Sequence, residues 1–339
     1  MARASGITVM GGDVRSIAAL AARAEAAGFD SAWTAEFYDR SGTVSLAAMA
    51  QVTSRIRLGT GILYAFGRSP LVLATEARDL QELSGGRLVL GLGTGTPGQA
   101  AAWLGIDPNH LAPRIEELIP LLRRLLRLDL GQVRHEGRFF RLDVNPTTGM
   151  PPPVGGHLPI YLAAVNRRMA EAAGRVADGL VGHPMFSPEY VRDVIRPALA
   201  TGATDRDGGK LPIAGYVLCS VAENAEEARA AAAAQIAFYA VVRTFDPILD
   251  HHGFRAESAA IRDAWKRRDM AGAAAAVSDR MLDAFAVYGT AEEARQRFRQ
   301  RFEGVYEEPL MFPPSVAHAG ARQFQAAVHT IDAFSAVAV

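Results

Sequence analysis

The sequence contains a single cysteine among its 339 residues, so the chain cannot form an internal disulfide. Zinc sites built from two or more thiolates are excluded for the same reason. Cys219 lies within an apolar run from Ala214 to Ala222. We therefore expect a buried thiol on a strand rather than a reactive nucleophile.

Long apolar runs and an excess of charge of one sign are also lacking. No stretch approaches the roughly 18 apolar residues of a membrane-spanning helix. Lys plus Arg number 36, as do Asp plus Glu, so no strong field would gather nucleic acid or an anionic membrane. The start of the chain, MARASGITVM, has no apolar region followed by a cleavage site. We expect a cytoplasmic protein whose partner is a small-molecule substrate.

Several catalytic and cofactor motifs are missing as well. The sequence has no His-Glu-x-x-His, no Cys-x-x-Cys pair, no Gly-x-Ser-x-Gly and no phosphate-binding Lys loop. His251 and His252 are adjacent but have no third ligand at a recognisable spacing, so we expect no metal site. The first strand–helix turn, Met10 to Asp13, is too short for a dinucleotide-binding fingerprint and lacks its third glycine.

The sequence does contain a strand–helix alternation from end to end. Amphipathic helix patterns separate short apolar runs, which predicts βαβ units and a parallel sheet. Eight such runs favour a (β/α)₈ TIM barrel over a doubly wound sheet, with residues 1–339 as one domain. Insertions interrupt the alternation at residues 131–153, which contain a hairpin pattern, and at 255–288, which look helical. The predicted strands are Ile7–Met10, Ser31–Thr34, Ile56–Ile62, Leu88–Gly93, Ile160–Val165, Gly179–Gly182, Ile213–Val221 and Pro309–Phe312.

The segment from Ser84 to Thr96, SGGRLVLGLGTGT, is the most informative in the chain. Its continuously apolar part is typical of a buried parallel strand. The glycines that follow permit a ligand to approach the backbone, at the strand end where barrels place their sites. The alternative is that Gly91, Gly93 and Gly95 only relieve crowding. Thr94 and Thr96 favour a ligand, because packing alone would prefer Val or Ala.

Candidate site residues also follow the second and third strands. Glu36 is an acid at the end of an apolar run, where it could hold a ligand hydroxyl or ring N–H; the alternative is a cap or an ion pair. Gly61 within a strand suggests a bulge or unusual peptide geometry facing a flat ligand. Tyr64 could supply a phenol donor, although wall packing is an equal alternative, and Arg68 could supply a fixed charge.

The fifth and sixth strands end in a possible anion site and a histidine. The segment through Asn166 and Arg167 starts a helix directly after a strand, where free N–H groups and the helix dipole suit a phosphate. Arg168 would strengthen this site unless the arginines are simply solvated. His183 ends the sixth strand and is a candidate general acid, or else a structural histidine.

Taken together, these segments resemble the bacterial-luciferase-like superfamily, particularly its branch that uses the deazaflavin coenzyme F420. The similar segments lie in the same order over about Ile7 to Pro314. They are AAGFDSAWTAEF (26–37), RIRLGTGI (55–62), RSP (68–70), ELSGGRLVLGLGTG (82–95) and PIYLAAVNRRMAEAAGRVADG (159–179).

The resemblance implies a TIM barrel, usually a homodimer, that holds a flavin or deazaflavin at the barrel mouth. Dimerisation would use the apolar helices around Leu46–Ala50 and Leu71–Leu83. The resemblance further implies a cis peptide bond between Gly61 and Ile62 behind the cofactor ring, and an acidic residue, Glu36, near that ring. The remaining implied cofactor-binding residues are Thr94, Gly95 and Thr96 beside cofactor and substrate, and Ala164, Val165, Asn166 and Arg167 at its phosphate.

Three residues depart from the sugar-phosphate dehydrogenases of this branch. Phe37 stands where they have a histidine, Thr96 where they have a glutamate, and the region of Phe186 where they have a substrate-binding lysine. The chain is therefore expected to act on a less polar alkene, imine or ketone. We predict an F420-dependent oxidoreductase with His183 or Tyr64 as proton donor. The alternatives are an FMN-dependent two-component monooxygenase and a protein that binds a cofactor without catalysis.

Overall fold

The computed structural model describes residues 6–204, 210–316 and 321–335. Its strands are β1 (Gly6–Thr8), β2 (Ser31–Thr34), β3 (Arg57–Thr60), β4 (Leu63–Tyr64), β5 (Leu88–Gly93), β6 (Val133–Glu136), β7 (Arg141–Val144), β8 (Ile160–Ala163), β9 (Gly179–Gly182), β10 (Ile213–Val221), β11 (Ala286–Gly289) and β12 (Glu308–Phe312). Its helices are α1 (Val14–Ala26), α2 (Gly42–Val52), α3 (Pro70–Leu83), α4 (Pro97–Leu104), α5 (Leu111–Leu126), α6 (Arg167–Val176), α7 (Pro188–Tyr190), α8 (Arg196–Gly202), α9 (Ala225–Ala240), α10 (Asp246–His251), α11 (Arg255–Lys266), α12 (Met270–Ala275), α13 (Asp279–Phe285), α14 (Ala291–Arg301) and α15 (Ala321–Phe334).

The chain divides into two compact units, each assembled from separate segments. The first comprises 1–33, 182–197 and 212–339, and the second comprises 34–181 and 198–211. In the first unit β12 lies between β1 and β10, with β2 beside β1 and β11 beside β10, all parallel. In the second unit β5 pairs in parallel with β3, β4 and β8, and β8 pairs with β9. Each predicted strand is present, and the fold is the predicted (β/α)₈ barrel rather than a doubly wound sheet.

Local sequence signals define the starts of two helices. Asp13 caps α1 by accepting from Ser16 N–H, and Thr290 forms a capping box with Glu293 at α14. Cys219 lies on β10 and is buried, as predicted. Burial among apolar groups raises the pKa of its thiol, which keeps it protonated.

The two insertions are partly as predicted. The first contains the expected hairpin, β6 antiparallel to β7, with Gly137 N–H donating to Phe140 O at the turn. The carboxylate of Glu117 on α5 holds this turn by accepting from the N–H groups of Phe139 and Phe140. The second insertion is helical as predicted over α11 to α13, but it ends in β11 from Ala286 onward. That strand was missed because AVYG is too short to stand out beside a helical pattern.

A close approach between strands within the second unit involves Thr60 on β3 and Gly91 on β5. The Thr60 hydroxyl donates to Gly91 O (2.9 Å) and accepts from Gly91 N–H (3.0 Å). A Cβ atom at Gly91 would lie 1.7 Å from Thr60 O, and one at Gly93 would lie 2.8 Å from the Ile62 side chain. The idea that these two glycines admit a ligand is therefore wrong, because protein atoms fill the space. Relief of crowding explains them.

This contact predicts the stability of a pair of glycine variants. We expect Gly91→Ala to lower the free energy of unfolding by about 3 kcal/mol, because backbone must move to admit the methyl group. Gly98→Ala is the matched control, since Gly98 lies in α4 with no atom closer than 4.0 Å to its ideal Cβ. The free energy of unfolding of Gly98→Ala should rise by about 0.5–1 kcal/mol, because alanine has the higher helix propensity. Urea unfolding measures both, and equal stabilities would contradict the packing analysis.

Candidate functional site

The second unit contains a cavity of about 480 Å³ beside the ends of β4 and α4. Chain turns that follow strands form much of it, as expected where parallel strands end. It is lined by Glu36, Phe37, Tyr38, Tyr64, Gly67, Arg68, Trp103 and Leu104. Glu36 and Tyr64, two of the predicted catalytic residues, therefore lie together.

Glu36 and Arg68 form a two-pronged ion pair in this cavity. Arg68 Nη1 lies 2.9 Å from Glu36 Oε2, and Arg68 Nη2 lies 2.6 Å from Glu36 Oε1. Tyr64 N–H also donates to Glu36 Oε2 (3.0 Å), and Arg68 Nε lies 2.6 Å from Glu76 Oε2. The Glu36 and Arg68 side chains are only 11% and 15% exposed. The hydrogen bond that Arg68 donates to Glu36 raises the pKa of Arg68, so the guanidinium stays charged.

This geometry agrees with the ion-pair alternative for Glu36. Both of its oxygens already accept hydrogen bonds from protein donors, namely the Arg68 guanidinium and the backbone N–H of Tyr64. Its charge is balanced within the cavity, and a ligand hydroxyl would compete with a bidentate guanidinium.

Tyr64 is buried, and its ring lies close to Gly95. A Cβ atom at Gly95 would be 3.1 Å from that ring. Burial, followed by the negative charge of Glu36, raises the pKa of Tyr64 to about 12. The phenol is therefore protonated at neutral pH. It is available as a hydrogen-bond donor rather than as a base.

The predicted cofactor-binding residues of β3 and β5 lie in the same unit. The peptide bond between Gly61 and Ile62 is cis, as the family resemblance implies. Gly95 has a positive φ of 68°, and the Thr94 hydroxyl donates to its carbonyl (3.0 Å). The Thr96 hydroxyl caps α4 by accepting from Gln99 N–H. The Thr94 and Thr96 hydroxyls, which suggested a ligand from the sequence, thus make local hydrogen bonds.

The start of α6 has the predicted form, with one change in its charges. Asn166 is the N-cap and accepts from Met169 N–H (3.0 Å), while Ala164 before it is buried. Arg167 is exposed, with Glu171 3.4 Å away. Arg168, in contrast, forms a two-pronged pair with Glu116 (2.8 and 2.9 Å) and is not directed to an anion.

His183 belongs to the first unit, where aromatic rings surround it. Its ring stacks on Phe245 with centroids 4.2 Å apart and meets the edge of Tyr239 at 4.7 Å. Its Nδ1 accepts from Met185 N–H (3.1 Å), which assigns the ring proton to Nε2. Burial lowers the pKa of His183 to about 3. The ring is neutral at pH 7, so it can donate a hydrogen bond from Nε2 but cannot serve as an imidazolium acid.

The analysis of the sequence missed three aromatic residues of the cavity. Phe37 was noted only as a departure from a family pattern, and Tyr38 and Trp103 were not considered as site residues. Their signal in the sequence is weak: two consecutive aromatics follow the acid Glu36, and Trp103 lies on a separate helix. Their rings meet only after folding, with Phe37 and Trp103 centroids 5.3 Å apart.

Residues 6–204, 210–316 and 321–335 contain neither a metal-binding cluster nor a membrane-spanning helix. No group of three or more His, Cys, Asp or Glu side chains in these ranges could hold a metal ion. No helix within the same ranges has the length and apolar character needed to cross a membrane.

The ion pair predicts a coupling measurable in a double-mutant cycle. We expect Arg68→Met to cost about 3 kcal/mol of unfolding free energy, because it leaves buried Glu36 without its cation. The double variant with Arg68→Met and Glu36→Gln should lose about 1–2 kcal/mol less unfolding free energy than the sum of the losses in the two single variants. The exposed pair Arg134–Glu136 is the control, with expected coupling below about 0.5 kcal/mol. Additive losses at Glu36 and Arg68 would contradict the analysis.

His183 predicts a pH dependence of stability. Between about pH 6.5 and pH 3 the unfolded chain binds a proton at this residue that the folded chain does not. The contribution of neutral His183 to the free energy of unfolding is therefore complete above about pH 6.5 and is lost as the pH falls. Between about pH 6.5 and 4.5 the free energy of unfolding should fall more for the wild type than for His183→Asn. This variant keeps an acceptor for Met185 N–H but has no imidazole to titrate. Parallel stability curves from urea unfolding would refute the assignment.

Comparisons with known proteins place this chain within a family. A family model described as luciferase-like monooxygenase matches residues 1–308. A Mycobacterium tuberculosis protein of uncharacterized function is 34% identical over 293 residues, covering 84% of this chain and 85% of the relative. A 5,10-methylenetetrahydromethanopterin reductase of Methanolobus tindarius is 31% identical over 300 residues, covering 85% and 86%.

Solved structures support the fold. The coenzyme F420-dependent tetrahydromethanopterin reductase of Methanopyrus kandleri superposes with a TM-score of 0.80 and 23% identity, covering 99% of this chain and 98% of that chain. The oxygenating constituent of 3,6-diketocamphane monooxygenase from Pseudomonas putida, in complex with FMN, gives a TM-score of 0.66 and 18% identity, covering 99% and 97%. On the evidence of the family model and these relatives, the chain belongs to the luciferase-like monooxygenase family.

Proposed function

We propose that the chain is an F420-dependent oxidoreductase that transfers a hydride between the deazaflavin coenzyme and a small, fairly apolar organic substrate. The reacting bond would be C=C, C=N or C=O. When bound, the reduced coenzyme supplies a hydride to one atom of that bond, and a proton completes the other. The named reductases among the relatives support this reaction class.

The observation that carries the proposal is that Arg68, the cation lining the cavity, is already paired. It is held by Glu36, the other charged lining residue, and by Glu76, and aromatic rings make up much of the remaining wall. Such a site suits neutral, unsaturated compounds better than phosphosugars, which need unpaired cations.

The residues present fit a flat cofactor with an anionic tail. The ten-residue helix α6 begins at an exposed Asn166–Arg167 segment, and its N-terminal dipole and N–H groups suit a phosphodiester. We assign the tail to Ala164, Val165, Asn166 and Arg167. We assign the ring system to Gly61, Ile62, Thr94, Gly95 and Thr96.

Two residues of the chain can donate a hydrogen bond to a substrate heteroatom. Tyr64 lines the cavity as a protonated phenol. His183 offers its Nε2 N–H from a neutral ring. We favour Tyr64 as the donor because it shares the cavity with Glu36 and Arg68, so Glu36 takes the role of a positioning residue.

An FMN-dependent two-component monooxygenase is the second candidate. The description of the matching family model and the FMN-bound structural relative favour it. The two candidates differ in the cofactor bound and in the need for oxygen, so one set of measurements separates them.

We also propose a cytoplasmic homodimer. Exposed apolar side chains on two helices support this assembly, namely Val44 and Val52 on α2 and Leu71, Val72 and Leu83 on α3. Leu46 and Ala50, central to the sequence-based prediction, are themselves buried within the protomer. The contact between copies would therefore use the other face of α2.

The cofactor assignment is tested by titrating the purified protein separately with F420 and FMN and following absorbance and fluorescence. We expect micromolar binding of F420, little binding of FMN, and reduction of an enone by reduced F420 without oxygen. Binding of FMN alone, with oxygen consumed during turnover, would establish the second candidate instead.

The same titration tests the phosphate assignment at α6. Asn166→Asp keeps an N-cap but places a negative charge against the tail, so F420 affinity should fall about tenfold. Asn166→Ser keeps a neutral cap and should bind nearly as the wild type does. A deazaflavin without the phosphodiester should bind all three proteins alike. Equal losses for this compound and F420 would remove α6 from the site.

A further inference from the structure

We propose that the substrate carries a flat conjugated or aromatic ring, which stacks against an aromatic wall formed by Phe37, Tyr38 and Trp103. This inference rests on the proposed function, because it names the substrate class that the same site would accept. It goes beyond that function because the reaction itself requires only an apolar double bond.

The three rings form one continuous surface of the cavity. Phe37 and Tyr38 have centroids 4.5 Å apart at an interplanar angle of 48°, and Tyr38 and Trp103 are 5.9 Å apart at 86°. Tyr64 extends the surface inward, with its centroid 6.3 Å from Trp103 at 87°. These tilted and edge-to-face arrangements orient the rings and leave faces open to a further ring.

The wall is exposed to an unusual degree for residues of this type. Phe37, Tyr38 and Trp103 are 39%, 76% and 45% exposed. Single exposed aromatic residues are common, but a cluster of three beside a cavity marks a binding surface. The rings contact one another, and Trp103 also contacts the buried Tyr64, but a large part of each ring stays exposed and available to an occupant.

The cavity favours a small molecule over a macromolecule, and a neutral compound over an ion. Its volume of about 480 Å³ lies in the range of small-molecule pockets. Glu36 and Arg68 satisfy each other, so neither offers a free charge to a substrate. The Tyr64 phenol can donate to one carbonyl oxygen. A conjugated ring bearing an enone or ketone meets all three conditions.

The test compares two enones that share the reacting group and differ only in the ring: 4-phenyl-3-buten-2-one and 4-cyclohexyl-3-buten-2-one. Equilibrium dialysis measures binding without turnover, and KM and kcat are measured with reduced F420. We expect the wild type to bind the phenyl compound about tenfold more tightly, and Kd is the deciding quantity because conjugation of the phenyl ring with the enone also changes kcat. Trp103→Phe should keep most of this preference, whereas Trp103→Leu, which keeps the bulk but not the ring, should lose it.

Two controls separate this inference from the proposed function. Trp265→Leu removes a tryptophan that does not line the cavity and should retain the preference. F420 affinity should be unchanged in all variants, so failure to bind F420 counts against the proposed function and not against the wall. The inference is overturned if the wild type shows no ring preference or if Trp103→Leu retains it. A change of sedimentation coefficient in Trp103→Leu would also overturn it, because the wall would then contact a second copy.

Discussion

The close approach of β5 to Thr60 is the constraint on which the candidate site depends. Only a glycine at position 91 lets the Thr60 hydroxyl bond both the N–H and the carbonyl of that residue. Ile62 then packs against Gly93, and Tyr64 against Gly95. Gly91 and Gly93 thus set the position of the cavity wall by letting neighbouring protein atoms approach β5.

Electrostatics in the cavity follow from this arrangement. The turn after β3 brings Ile62 O within 2.8 Å of Glu36 N–H, and Tyr64 N–H points at the Glu36 carboxylate. Arg68 completes the pair and also contacts Glu76. Because both carboxylates engage Arg68, this cation is not available to select an anionic substrate, and we infer that the surrounding rings decide which molecule fits.

Individual residues show how far prediction could reach. Asp13, Thr290 and Asn166 were predictable as helix caps because capping depends on neighbours three residues away. The barrel strands were predictable from their continuously apolar runs. Arg168 was assigned to an anion, yet it binds Glu116 from a helix 52 residues earlier, a contact that no local pattern reveals. The acid role suggested for His183 likewise ignored the rings of Tyr239 and Phe245, whose packing lowers its pKa.

By itself the sequence determined the (β/α)₈ class, the cis bond between Gly61 and Ile62 through family resemblance, and the residues from which a site could be built. The fold class and the candidate residues depend on periodicity, glycine spacing and short motifs, all of which are local, whereas the cis bond was implied only by the resemblance. Tertiary structure alone decided that Glu36 is neutralised by Arg68, that His183 is uncharged, and that Phe37, Tyr38 and Trp103 form one surface. Charge balance, desolvation and ring contact depend on distances between segments remote in sequence, which are set only when the chain packs.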